Sequence, residues 1–326
     1  MRPGALDMPA DANATTRMAD RFAGCMLGLA IGDALGAAHE GGPVERMVWR
    51  LIGKTPDGRL RWTDDTQMAL DLAESLLACD GVNPDHIAAR FAASYRWDRG
   101  YGPGAAQVLK RIAHGQPWQA ASKRVYAEGS FGNGAGMRAP VLALFFPEDR
   151  NGLIDAARLS ASITHAHPLG IEGAVMIALA AQVLLRDTPA MQVVDQVRSA
   201  CSTREFGKKL ETVAAWLSRQ ETPEPRIVVR KLGNAMTAAA SCPTALYLAL
   251  RFLDQPFEDL LAFIIACGGD VDTLAAMAGA LWGIANGARE LPSTRIEAKE
   301  RITDVASQLF LRYVEKCDSA RVATAI

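Results

Sequence analysis

Gly24, Gly28, Gly32 and Gly36 recur at every fourth position within Met18–Ala38, a stretch otherwise rich in Ala and Leu. That spacing puts all four on one face of a helix and leaves the face without side chains. Glycine is a poor helix former, so close packing by another helix has to compensate. In a lipid bilayer the same pattern would signal helix pairing. Here Arg21, Asp33 and Glu40 make a buried helix of a soluble protein the better reading.

The rest of the chain reads the same way. Apolar residues recur at three and four positions over Asn83–Arg96, Gly104–Ala113, Leu153–Ser162, Ile171–Leu185, Met191–Ala200, Phe206–Gln220, Ala245–Leu253, Phe257–Cys267 and Thr294–Val314. No alternation of period two is sustained, and Arg226–Val229 is the only β-like run. Glycine and proline clusters at 100–104, 115–117, 129–136, 147–152 and 221–225 separate the helices. Hydrophobic residues make up 49% of the 326, enough for a sizeable core. The expected fold is therefore all-α, with a loose N-terminal tail over 1–17 and one compact domain over 18–326. The first residues carry no apolar signal region, and Ala174–Leu185 is too short to span a bilayer.

Two helix starts carry the chemistry. Asp270-Val271-Asp272-Thr273 follows the turn Gly268-Gly269 and precedes the small-residue run Leu274–Ala285. Asp and Thr cap helix N-termini, because their oxygens accept unpaired backbone N–H groups. A cap needs one carboxylate, however, and a second close by repels the first unless a cation sits between them. Two carboxylates and a hydroxyl suit a hard divalent ion. Trp62-Thr63-Asp64-Asp65-Thr66 repeats the pattern ahead of Met68, Leu72, Leu76 and Leu77 at helical spacing. One such start is a cap; two in one chain point to a shared site for two metal ions. Glu40, at a helix C-terminus where a negative charge is poorly placed, also calls for a partner.

Gly129-Ser130-Phe131-Gly132-Asn133-Gly134-Ala135-Gly136 is a glycine loop whose backbone N–H groups suit phosphate oxygens, or else a flexible connection. It is no Walker loop, since no Gly-Lys-Ser/Thr follows. Asp98–Gly104 is a second glycine loop, more readily a turn than a wall of a nucleotide site. His165 and His167 stand two apart and so do not share a helical face; a substrate contact, support for other ligands or a plain hydrogen-bonded histidine fits better than metal ligation. Arg138 is open to a phosphate or, by preference, an interior carboxylate. The six cysteines are scattered with no C-x-x-C, as expected of free thiols in a reducing compartment. Cys267, with acids beside it and no histidine near in sequence, is a poor nucleophile.

Together these stretches resemble the ADP-ribosylglycohydrolase family, and within it the type that removes O-linked ADP-ribose. The resemblance runs from about Arg21 to Ala288. It is carried by Gly24–Gly36 with Glu40, by Thr63–Thr66, Asp98–Gly102, Gly129–Gly134 and Met137-Arg138, and by His165 with Leu169-Gly170. Ser241–Ala245 and Gly268–Thr273 complete it. It implies an all-α fold with two Mg2+ or Mn2+ ions in a cleft. Thr63, Asp64 and Asp65 would hold one ion, Asp270, Thr273 and Glu40 the other, and Asp272 would bridge them. The catalytic set it implies is Glu40, Asp65 and Asp272. The substrate would meet Asp64, Gly100, Tyr101 and Gly102, the diphosphate loop Glu128, Gly129, Ser130, Phe131, Gly132, Asn133 and Gly134, and His165 near the distal ribose. Phe206 and Met236 fall at adenosine-side positions, and Tyr126 or Tyr101 is open to stacking on adenine. Two departures stand out: Ile171-Glu172 replaces a Tyr-Asn pair, and Phe131 replaces the loop tyrosine. They leave the metal residues alone and bear on linkage and substrate preference.

The function implied is hydrolysis of the C1″–O bond between ADP-ribose and a protein side chain, of serine type, with poly-ADP-ribose or O-acetyl-ADP-ribose as further substrates. The alternatives are an arginine N-glycohydrolase of the same fold and a non-catalytic ADP-ribose-binding or structural relative. The partners expected are an ADP-ribosylated protein or an ADP-ribose-containing small molecule. No direct nucleic-acid or membrane partner is expected of a cytoplasmic monomer of net charge −1.

Overall fold

The computed structural model describes residues 9–324, and the side chains of 14–317. Four helices fill the first third: α1 (Pro9–Gly36), α2 (Pro43–Ile52), α3 (Asp64–Cys79) and α4 (Pro84–Ser94). The middle holds α5 (Pro103–Ala113), α6 (Trp118–Val125), α7 (Gly134–Met137), α8 (Pro140–Phe145), α9 (Arg150–Ser162), α10 (Pro168–Leu184) and α11 (Ala190–Arg198). Then come α12 (Arg204–Ser218), α13 (Pro225–Leu232), α14 (Ala238–Arg251), α15 (Phe257–Cys267), α16 (Val271–Asn286) and α17 (Lys299–Thr324). Among the described residues there is no strand, only isolated β-bridges. The expected all-α fold is the fold observed.

The glycine face of α1 meets α16. A Cβ on Gly24 would lie 2.1 Å from the Gly283 carbonyl oxygen, one on Gly28 2.2 Å from that of Gly279, and one on Gly32 2.1 Å from that of Ala275. The contact is reciprocal, because a Cβ on Gly283 would lie 2.0 Å from the Gly24 oxygen. Two backbones thus touch with nothing between them, and no other residue fits. Ala14–His39 is long and apolar enough to cross a membrane, but 78% of its most apolar window is buried inside the fold. The length that looks membrane-like is the length of the core helix.

Three segments differ from expectation. Arg226–Val229 is not β-like but lies in α13: four residues cannot display a period, and Pro225 at the first turn with Val228 and Leu232 buried sets a helix instead. Part of the expected tail over 1–17 is helical. Its residues 1–8 lie outside the described residues, and α1 already runs from Pro9, where Pro at the start and Ala10, Ala12 and Ala14 favour helix. Helix α14 begins seven residues before Ala245 and carries Pro243 inside it. Proline cannot donate to the carbonyl four residues back, that of Ala239. The Lys209 ammonium takes that carbonyl, together with the Leu232 carbonyl.

Candidate metal centre and cleft

Asp33 sits on α1 one residue past the Gly32–Ala275 contact and is fully buried. Its carboxylate accepts from Thr63 N (2.9 and 3.0 Å), Thr66 N (3.0 Å) and Thr66 Oγ1 (2.5 Å). A residue of one helix thereby closes the N-terminus of another, and this fixes where Asp64 and Asp65 point. Thr63 Oγ1 adds a cap to Asp65 N at 3.4 Å. With capping done by Asp33 and Thr63, the two α3 acids are left free of that role.

The same holds at α16. Gly268 and Gly269 take φ of +62° and +79°, and a Cβ on Gly269 would strike the Asn234 carbonyl at 2.1 Å. That turn delivers Asp270 to the N-cap position, yet its side chain makes no cap hydrogen bond. It accepts instead from Asn133 Nδ2 of the glycine loop. Asp272 Oδ1 accepts from Thr273 N at 2.8 Å, and Thr273 Oγ1 reaches across to Asp65 Oδ1 at 3.4 Å.

The helix tips therefore meet. Carboxylate oxygens of Asp33, Asp65 and Asp272 lie within 4.8 Å of one another, and so do those of Glu40, Asp270 and Asp272. Asp272 belongs to both groups. Burial, followed by the neighbouring carboxylates, pushes Asp65 and Asp272 well above the usual carboxylate range. Burial raises Glu40 and Asp270 as well. Asp65 Oδ2 is buried with no hydrogen-bond partner. Five acids with so few donors are a poor end in themselves, because buried charge needs a counter-charge. Donors that are all oxygen, a shared carboxylate and an orphaned buried oxygen fit hard divalent cations. Asp33 is the member of this set that in sequence is only one acid in an apolar helix.

Glu40, Asp64, Asp65, Asp270, Asp272 and Thr273 open onto a cavity of about 250 Å³. Gly100, Gly102, Ser130, Phe131, Gly132, Asn133, Gly134, His165 and Met236 line it too. So do Met68, Pro103, Gly104, Ala105, Tyr126, Met137 and Thr237, of which only Tyr126 was singled out as a substrate contact. The loop is held by Asn133 N to Met236 O (2.9 Å) and Ala238 N to Phe131 O (3.0 Å). Five expected contacts are not on this wall. The Tyr101 ring turns away to pack on Tyr95 at 5.0 Å. The Glu128 side chain is 88% exposed, 4.0 Å from His167 Nε2. Gly129 lies behind the loop against Ala166 and His167, and Thr63, off the cavity wall, donates its backbone N–H to Asp33 while its Oγ1 accepts from Asp65 N. Phe206 is wholly buried in the core under α10, near Gly173, and is not on this wall.

Arg138 is also buried, but it pairs with no carboxylate. It donates to Gly134 O (2.7 Å), Ser160 O (2.8 Å) and Thr164 Oγ1 (3.0 Å), since carbonyls at helix ends offer what a guanidinium needs. Glu172 serves structure as well: it accepts from Ser202 N and Thr203 N (3.0 Å) at the start of α12. Cys25, Cys242 and Cys267 are buried free thiols, whereas Cys79 is exposed. Burial pushes the Cys267 thiol up to about 12, which removes it as a nucleophile.

The sequence profile of the ADP-ribosylglycohydrolase family matches residues 14–319. The chain belongs to the ADP-ribosylglycohydrolase family. It is similar to the protein named ADP-ribosylhydrolase ARH3 of Bos taurus, 32% identical over 92% of this chain and 94% of the relative. The Homo sapiens protein of the same name is 30% identical over 92% and 95%. An uncharacterized Archaeoglobus fulgidus protein is 29% identical over 90% and 97%. A solved structure described as an ADP-ribosylglycohydrolase-related protein complex superposes with a TM-score of 0.69 at 29% identity, over 91% of this chain and 99% of that one. As a family member the chain is a hydrolase of ADP-ribose glycosidic bonds, and the family is metal-dependent in general.

Proposed function

We propose that this ADP-ribosylglycohydrolase is a divalent-metal enzyme that cleaves the C1″–O bond between ADP-ribose and a serine-type protein side chain. The observation that carries the metal part is the pair of carboxylate groups sharing Asp272 beside an orphaned Asp65 oxygen. Asp65, Asp272 and Asp33 on one side, and Glu40, Asp270 and Asp272 on the other, would hold Mg2+ or Mn2+, with Asp64, Thr63 and Thr273 as neighbouring oxygen donors. Such ions supply positive charge that orients ribose hydroxyls and acidifies water. The O-linkage is favoured by the resemblance of Asp98–Gly102 and Gly129–Gly134 to the O-linked type of the family.

The protein's own groups divide the remaining work. The Ser130–Gly134 loop, tied to Asp270 through Asn133, sets the diphosphate against the metal side. His165 and Phe131 border the distal ribose, while Tyr126 and Met236 offer apolar surface to the adenine end. Glu40 is half-buried at the mouth of the acid group. From there one Oε takes a proton from the attacking water or returns it to the leaving side-chain oxygen. Positive charge develops at C1″ as that bond opens, and the carboxylates around it favour that state. The enzyme acts in this reading as a cytoplasmic monomer on ADP-ribosylated proteins or ADP-ribose-containing small molecules.

A linkage panel tests this. Serine-, threonine- and arginine-ADP-ribosyl peptides, poly-ADP-ribose and O-acetyl-ADP-ribose are each incubated with Mg2+ or Mn2+, and with EDTA. Release from the serine peptide that EDTA abolishes is expected. Release from the arginine peptide alone would transfer the assignment to an N-glycohydrolase, and tight ADP-ribose binding without turnover under any metal would make the protein a binder.

A further inference from the structure

The cleft histidine is wired from behind. His165 Nδ1 lies 2.8 Å from Thr164 Oγ1, and that oxygen accepts from the Arg138 guanidinium at 3.0 Å. Arg138 itself is fixed by two carbonyls, stacks its guanidinium 4.8 Å from the centre of the Phe91 ring and is completely buried. It can only donate. The Thr164 hydroxyl therefore spends one lone pair on Arg138, and its hydrogen has to go elsewhere. Among the described residues, the one acceptor bonded to Thr164 Oγ1 is His165 Nδ1. Were Nδ1 the protonated nitrogen, the Thr164 hydrogen would be buried without an acceptor, and such groups are rare.

We infer that Thr164, polarised by Arg138, is a positioning residue that keeps His165 in the tautomer with its proton on Nε2, aimed as a hydrogen-bond donor into the cleft. The Nε2 edge lies on the cavity wall beside Gly132 and Gly134: a Cβ on either glycine would come within 3.2 or 2.9 Å of Nε2. Bare loop glycines are what let the imidazole approach. Burial, then the Arg138 charge, push the His165 pKa down to about 3, so the ring stays neutral. His165 is on this account a fixed neutral donor for a ligand oxygen, not the proton-transfer group of the reaction. The ligand side of the inference rests on the cleft being the ADP-ribose site; the position of the proton does not.

The test is 15N-edited NMR of protein labelled at histidine, with His165 assigned by loss of its signals in His165→Gln, alongside titration with ADP-ribose. The wild type should show a pyridine-type Nδ1 and a pyrrole-type Nε2 at neutral pH. Thr164→Val, close in shape but without the hydroxyl, should yield mixed tautomers and weaken ADP-ribose binding about five- to tenfold, the scale of one hydrogen bond. Thr164→Ser should restore both. A wild-type His165 protonated on Nδ1 overturns the inference whatever the variants do, as does Thr164→Val with unchanged tautomer and affinity. If ADP-ribose binds none of the proteins while the Nε2–H tautomer is observed, the cleft assignment fails and the wiring stands.

Discussion

Helices α1 and α16 meet in two different ways along one line of contact. From Gly24 to Gly32 they touch backbone to backbone, with no side chain and no charge between them. At the end of the same line, Asp33 and Asp272 bring carboxylates together, and Asp65, Asp270 and Glu40 join them. One stretch is closed by removing atoms, while the other is held open by groups that repel. The difference teaches that the first creates the second. Only a seam that allows no slack can force acids into a distance they would otherwise avoid, and that distance is what a cation requires.

The contrast breaks most severely at the seam. Gly28→Leu or Gly279→Leu must push backbones apart and should cost more than about 5 kcal/mol. Expression without a cooperative thermal transition is the expected readout. At the acids the outcome reverses. Asp272→Asn should fold, and its chelator-treated form should melt higher than the chelator-treated wild type, because it relieves repulsion. Its turnover should fall more than about 100-fold. If Asp272→Asn were destabilised in EDTA, the acids would be serving the fold.

Metal itself gives the next largest effect. At about 100 times Kd, Mg2+ or Mn2+ should stabilise the wild type by about 2.7 kcal/mol, measured as a Tm shift, and should leave Asp272→Asn nearly unmoved. The pH response follows by sign. Asp65 and Asp272 are raised above the ordinary value near 4, so above that pH the folded state binds more protons than the unfolded chain. Stability of the EDTA-treated protein should therefore fall as pH rises above about 4, the ordinary carboxylate value. With saturating metal the trend should reverse, since ions take deprotonated carboxylates. Smallest of all, Phe131→Tyr changes a half-exposed cavity residue. It should shift KM between linkages by less than about threefold and leave Tm within about 1 °C.

Much of this is legible in the sequence. The fourfold glycine spacing announces a close helix contact, and the two acid-rich helix starts announce a shared site. What was hidden has physical causes. Asp33 makes up one acid in an apolar helix, and nothing local says that its oxygens end another helix thirty residues on. Arg226–Val229 is too short to show any period. Tyr101 sits between two cavity glycines in sequence, but its ring direction is decided by Tyr95. Phe206 falls to the core, near Gly173 of α10, and nothing in its own stretch of sequence shows that neighbour. Partners distant in sequence decide each of these cases.

The seam joins nearly the first helix of the chain to nearly the last. During synthesis, α1 emerges with its bare strip uncovered and waits until α16 has left the ribosome. Until then Asp33 and Asp272 cannot face each other, so a polypeptide interrupted anywhere before Val271 has no cation trap to offer. On the proposed metal reading, ion capture therefore follows the making of α16, because Asp272, the acid common to both groups, is missing before it.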